Sequence, residues 1–341
     1  MMGTMSGNRR EWLAGMGALA LTSLAPRVRA AAPISGVTRI DPRLDAIIDA
    51  SAKVEVLADG YRWAEGGVWV SDGNFLLFSD PPSNIVYRWD AKNGAQPFLH
   101  PSGAQGPVPT GIREPGANGM RLDRDGHLVV ADSGTRAIVR INLKTRERTI
   151  LVDRFEGKRF NSPNDLVIAA DGAIYFTDPP YGLSEADASP LRELDFNGVY
   201  RLAPDGRLGL IDGSRFRPNG IALSPDERTL YLALSDPKLP HLMAYTLDAN
   251  GVPTEARLFH DMQAQADQGL PGLPDGVKAD RHGTVFATGP GGVHICTPDG
   301  TLLGIVATGK AIANCCIGEN GRSLFLASSD RLCRVRLKRA A

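Results

Sequence analysis

The chain has 341 residues, 43% of them hydrophobic and 22% charged, which is enough apolar material for a large folded core. Thirty-eight Lys and Arg balance 38 Asp and Glu, so no excess of positive charge is available to neutralise a nucleic-acid backbone or an anionic membrane surface. The 38 Gly and 24 Pro are spread along the chain and point to many tight turns between short strands.

At the N-terminus, Arg9 and Arg10 precede a modest apolar run from Leu13 to Ala25 and the small residues Ala30, Ala31 and Ala32. A charged start, an apolar segment too short to span a bilayer and a small-residue end outline a twin-arginine export signal over residues 1–32; a frayed amphipathic helix is the alternative. No cysteine stands near the cleavage region, so no lipid anchor is expected. Removing the leader takes away four Arg and one Glu and leaves 34 basic against 37 acidic residues. The expected mature protein is periplasmic, slightly acidic and free of a membrane anchor. Residues 33–51 read as an extension with a short helix candidate at Pro42 to Ala50, and residues 52–338 as the folded domain.

From residue 65 onward one grammar repeats. Glu65-Gly-Gly-Val-Trp-Val-Ser-Asp-Gly73 is followed by Asn118-Gly-Met-Arg-Leu-Asp-Arg-Asp-Gly126, Asn164-Asp-Leu-Val-Ile-Ala-Ala-Asp-Gly172 and Asn219-Gly-Ile-Ala-Leu-Ser-Pro-Asp-Glu227. Asp275-Gly-Val-Lys-Ala-Asp-Arg-His-Gly283 and the shorter Asn314-Cys-Cys-Ile-Gly-Glu-Asn-Gly321 complete the series. Each unit has a polar opening residue, a short strand, a tight turn and an apolar second strand. A third, alternating strand such as Ile85 to Trp89 or Gly198 to Leu202 comes next, and then a fourth. The starts are separated by 53, 46, 55, 56 and 39 residues, which fits four-stranded blades and is too short for β-sandwich domains. The fold expected is all-β, a six-bladed β-propeller with four-stranded blades. The last unit has only three clear strands, so the spare strand Lys53 to Leu57 is expected to close the last blade.

First strands of a propeller line its central channel and run the same way, which brings Glu65, Asn118, Asn164, Asn219, Asp275 and Asn314 to one ring. Asn-Gly and Asp-Gly are also turn dipeptides, but six in register, including a glutamate that makes poor turns, point to function. Carboxylate and amide oxygens without thiolate or imidazole form a hard ligand set, which suits one divalent ion, Ca²⁺ best, Mg²⁺ or Mn²⁺ next and Zn²⁺ least. Two carboxylates with two or three amides leave coordination positions for water and a substrate oxygen, the mark of a catalytic ion.

No nucleophile elbow, zinc-protease helix motif, phosphate-binding loop or dinucleotide fingerprint occurs. Asp123 to Gly126 resembles the start of a calcium loop but continues wrongly and reads as a hairpin turn. The four cysteines, Cys296, Cys315, Cys316 and Cys333, have neither disulfide-framework nor zinc spacing. His294, on a third strand beside Gly289 to Gly292, is either a core or surface histidine or a pocket residue.

Glu65-Gly-Gly-Val-Trp69, Gly157 to Asp165, Tyr175-Phe-Thr-Asp-Pro-Pro-Tyr-Gly182, Arg217 to Asp226 and Leu273-Pro-Asp-Gly276 together resemble the gluconolactonase branch of the senescence marker protein, gluconolactonase and luciferin-regenerating enzyme family. The resemblance covers essentially the whole mature chain. It implies a six-bladed propeller with one catalytic divalent ion, held by Glu65, Asn164, Asn219 and Asp275, and hydrolysis of a sugar lactone of the glucono-1,5-lactone type. It also implies that Asn118 and Asp165 share the pocket, Asp165 holding a metal-bound water, and that His294 departs from a larger aromatic residue. Asp275 is the first candidate base and Asp165 the second. Asn118, Asn164, Tyr181, His294 and Asn314 are the candidate substrate contacts. The rival readings are a hydrolase of aromatic lactones or phosphotriesters on the same scaffold, and a non-catalytic binding propeller. The long segments Pro101 to Ala117, Pro179 to Asn197 and Asp261 to Pro274 are expected on the ligand face, with Tyr181 and the 101–117 loop at its rim.

Overall fold

A computed structural model describes residues 35–341. The leader assigned to residues 1–32 lies outside the described residues. Among these, the chain forms six antiparallel sheets arranged as the blades of a propeller, in chain order. Blade 1 uses Glu65–Val70, Phe75–Asp80, Ile85–Asp90 and Gly94–Leu99, and blade 2 uses Ala117–Leu122, Leu128–Asp132, Ala137–Ile141 and Arg148–Val152. Blades 3 and 4 open with Leu166–Ile168 and Pro218–Leu223, and blades 5 and 6 with Val277–Ala279 and Asn314–Gly318.

Alternation along the strands gives every blade two apolar faces, and each face meets the next blade. Six buried clusters result, one for each seam around the ring. The seam between blades 1 and 2 holds Leu77, Val86, Met120 and Val130, and the one between blades 6 and 1 holds Phe78, Trp89, Phe325 and Leu332. The neighbours Cys315 and Cys316 point into different seams, Cys315 toward blade 5 and Cys316 toward blade 1. All four cysteines are free and buried, and burial pushes the Cys315 thiol up to about 12.

A hydroxyl at or just after the end of the second strand ties each of blades 1 to 5 to the next. Ser79 donates to the Asn118 carbonyl, Ser133 to Pro163, Thr177 to Asn219, Ser235 to Pro274 and Thr288 to Ala313, at 2.6 to 3.2 Å. Buried carbonyls near the axis are thereby satisfied.

The ring closes as expected. Glu55–Asp59 pairs antiparallel with Arg331–Arg336 and completes blade 6. The extension before it is more structured than the sequence suggests. Ser35–Arg39 adds a fifth strand to blade 5 along Leu302–Thr308. The helix expected over 42–50 is a single 3-10 turn, Pro42–Ala46, whose cap Asp41 accepts the Arg43 N–H at 2.8 Å. Leu44, Ile47 and Ile48 bury themselves against blades 5 and 6. The compact body therefore begins by Ser35, well before residue 52.

The glycines that follow the ring residues have a different purpose from turn formation. Gly66, Gly119, Gly220 and Gly276 do not adopt a positive φ; instead a Cβ on them would fall 2.3, 2.3, 2.1 and 2.5 Å from an atom of the next blade. At these four positions the first strands approach one another too closely for a side chain. Asp165 occupies this position in blade 3.

Candidate active site

One end of the channel opens into a cavity of about 810 Å³. Its wall includes Glu65, Asn118, Asn164, Asn219 and Asp275, the opening residues of five consecutive blades. Glu65, Asn118, Asn164 and Asn219 are buried, and Asp275 is partly exposed to the cavity. Tyr181, Arg113, Glu114, Gly272 and Leu273 bring the three long loops to the wall, so those loops do gather on the ligand face. The first two are tied together by Arg113 N–H to the Gly182 carbonyl and Ser184 N–H to Gly111, both at 2.8 Å.

Three expected site residues do not line this cavity. Asn314 lies beneath it and donates from Nδ2 to Glu65 Oε2 at 3.3 Å, so its partner is a wall residue. Asp165, at the position glycine fills in four other blades, is turned toward Arg121 and Lys278, with an oxygen 3.8 Å from each. That places it below the ring. His294 is fully buried: the Pro290 carbonyl can only accept, so His294 Nε2 carries the proton (3.0 Å) and Nδ1 accepts from His260 Nε2 (2.9 Å). Burial lowers the His294 pKa to about 4, so the pair is a neutral latch under the Gly289 to Gly292 loop.

Sequence reasoning missed Arg62, Trp63, Glu114, Phe216, Arg217 and Ser235, all on the wall. Ser235 had a signal, the hydroxyl recurring at the end of second strands. The loop residues had none, since nothing periodic marks them.

The floor is chemically unfinished as protein alone. Asn219 donates Nδ2 to Ser235 at 2.9 Å, which turns Oδ1 the other way, and that Oδ1 is buried without a hydrogen-bond partner among the described residues. Burial pushes the Glu65 carboxyl up to about 7, and the Asp165 charge adds to the rise. Asp275 is raised well above the usual carboxylate range by burial first and then by the charges of Glu65 and Asp165. Crowded carboxylates and an unpaired amide oxygen fit a hard divalent cation, which would supply the missing positive charge. Among the described residues a second acidic group, Asp123, Asp125 and His127, belongs to the blade 2 hairpin. There Asp123 accepts the Asp125 and His127 N–H groups and pairs with Arg140, so it is a turn.

The family model described as the SMP-30/gluconolactonase/LRE-like region matches residues 63–330. The chain belongs to that family. It is 52% identical over 309 residues, 89% of this chain and 87% of the relative, to the gluconolactonase of Zymomonas mobilis. Among solved structures it resembles XC5397 of Xanthomonas campestris, described as a gluconolactonase, at 31% identity and TM-score 0.77 over 90% of this chain and 96% of that one. A putative gluconolactonase is similar at 32% identity and TM-score 0.76, over 89% and 98% of the two chains. The family member described here is a gluconolactonase-like hydrolase.

With its carboxyls raised, the site is expected to take a divalent cation in a pH-dependent way. At pH 6 a Glu65 with pKa of about 7 is largely protonated in the free site, so a cation must displace a proton; above pH 8 it need not. Affinity for a divalent cation is expected to fall as pH drops from 8 to 6, with proton release seen as a buffer-dependent heat in titration calorimetry. Stability of the cation-free protein moves the other way. A carboxyl raised in the fold stabilises below its unfolded pKa and loses that contribution as pH rises through about 7.

Proposed function

We propose that the protein hydrolyses a sugar lactone of the glucono-1,5-lactone type to its open hydroxy acid, with one divalent cation, Ca²⁺, held by Glu65, Asn164, Asn219 and Asp275. The observation that carries this reading is the buried, unpaired Asn219 Oδ1 on the same wall as two carboxylates of raised pKa. Similarity to named gluconolactonases supports the substrate class. A hard cation bound there supplies Lewis-acid polarisation of an ester carbonyl.

The chain's own groups do the rest. Asp275 is the wall carboxylate placed to accept a proton from attacking water, whereas Asp165 is enclosed below the ring. The Asn118 amide is available to donate to a substrate oxygen, and the Tyr181 hydroxyl, buried and unpaired, offers both a donor and an acceptor. Trp63, Phe216, Leu273 and Ile312 give the cavity an apolar rim that displaces water from the ring face of a sugar. Export through the twin-arginine route is part of the proposal, resting on Arg9 and Arg10; cell fractionation with Arg9 and Arg10 replaced by lysine tests it.

The decisive experiment is a pH-indicator assay on a panel of aldonolactones, aromatic lactones and phosphotriesters, with metal-stripped protein before and after Ca²⁺ addition. Aldonolactone turnover that returns with Ca²⁺ is expected. Equal turnover after stripping removes the cation, and preference for a phosphotriester removes the substrate class. A loop exchange probes the wall. Replacing residues 104–113 with a short turn removes Arg113 and loosens Tyr181, and is expected to raise KM about tenfold or change lactone preference while Ca²⁺ affinity is kept. Unchanged kinetics on every lactone would make the loop a spacer.

A further inference from the structure

Below the wall residues, side chains of four blades form one buried polar chain that the chemistry above leaves unused. Lys278 of blade 5 donates from Nζ to the Val277 carbonyl and to Asn314 Oδ1 of blade 6, both at 3.0 Å, and lies 3.8 Å from Asp165 of blade 3. Arg121 of blade 2 stands 3.8 Å from the other Asp165 oxygen. Asn314 Oδ1 also accepts the Cys315 N–H at 3.0 Å, and its Nδ2 reaches Glu65 Oε2 at 3.3 Å.

An atom that receives an ammonium and a backbone N–H must be the amide oxygen, so the Lys278 contact fixes which way Asn314 faces. The nitrogen end is then committed to Glu65. Glu65 Oε2 is held from below by two donors, Asn314 Nδ2 and the Gly66 N–H at 3.0 Å, while Oε1 makes no hydrogen bond among the described residues. Burying an ammonium is costly, and an apolar side chain of similar length fills the same volume at less cost. Lys278 has only 13% of its side chain exposed, so its charge calls for a role beyond packing.

We propose that Lys278 is a positioning residue for the cavity: through Asn314 it orients the Glu65 carboxylate so that Oε1 faces the bound cation. The inference rests on the cation reading of the site given above. Lys278 touches neither substrate nor cation and acts only through the amide.

Titration calorimetry of Ca²⁺ into metal-stripped wild type, Lys278→Met, Asn314→Leu and the double variant tests this, with circular dichroism and Tm as controls. Each single variant is expected to weaken Ca²⁺ binding about tenfold or more, with the fold kept. The double variant is expected to be no weaker than the worse single one, because both cut the same chain. Lys278→Met binding within about twofold of wild type, or losses that add in the double variant, overturns the proposal. If Lys278→Met does not fold, Asn314→Leu alone decides, and unchanged affinity there overturns it. Wild type that binds no divalent cation removes the cation reading and this inference together; wild-type binding with unaffected variants removes this inference alone.

Discussion

Asp275→Ala is expected to lower kcat by about a thousandfold, roughly 4 kcal/mol in barrier, and to weaken Ca²⁺ binding while the propeller stays folded. The fold should survive because the backbone there is held independently of the side chain. Asp275 N–H donates to the Thr288 carbonyl at 3.2 Å and Gly276 N–H to Ala313 at 2.8 Å. The alanine variant alone does not separate the two duties given to Asp275, ligand and base. Asp275→Asn does, since an amide oxygen can still coordinate but cannot take a proton from water. The expected pattern is Ca²⁺ affinity reduced modestly in the asparagine variant and turnover lost in both. An asparagine variant keeping more than about a tenth of wild-type kcat, a barrier change under 1.4 kcal/mol, would remove Asp275 from the base role.

The ring that carries Asp275 was legible because a propeller imposes a rule on every blade. A first strand near the axis opens on a polar residue, seen at Glu65, Asn118, Asn164, Asn219, Asp275 and Asn314, and in four of the six blades a glycine follows it and permits close approach. The same regularity hid the exceptions. Asn314 keeps the polar opening, with Cys315 in place of the glycine, yet Lys278 engages its oxygen and turns its nitrogen onto Glu65, through a contact between blades 5 and 6 that no local pattern reveals. Asp165 breaks the grammar by standing where four other blades have glycine, and its neighbours Arg121 and Lys278 are 44 and 113 residues away in sequence. His294 could be read either way from its strand, since alternation gives a face but not what covers it; the partner is His260, 34 residues earlier on the last strand of blade 4. Loop residues such as Arg62 and Glu114 reach the wall by tertiary placement alone.

Removing residues up to Asp59 is expected to lower Tm by roughly 10 to 20 °C or to leave the protein insoluble. The deleted segment contains the strand Glu55–Asp59, which covers the edge of blade 6 by pairing with Arg331–Arg336. Its loss frees the hydrogen-bonding edge of Arg331–Arg336, breaks the Glu55–Arg334 pair at 2.5 Å and uncovers the seam where Leu57 and Ala58 pack beside Trp89 and Phe325. It also takes away the fifth strand of blade 5 and the buried Leu44 and Ile48. About four or five backbone bonds at roughly 1 kcal/mol each, before any apolar loss, amount to about 5 kcal/mol. At roughly 2 to 4 °C per kcal/mol for a body of this size, that gives the range stated. An exposed edge beside an apolar seam also invites strand addition by a second copy, so aggregation is expected to accompany the loss. A deletion ending at residue 48 separates the two contributions, because it removes the fifth strand and the 3-10 turn but keeps the strand that closes blade 6. That shorter deletion is expected to cost stability yet remain soluble and active. An unchanged Tm after the longer deletion would mean that Arg331–Arg336 can serve as a free edge and that ring closure rests on the seams alone.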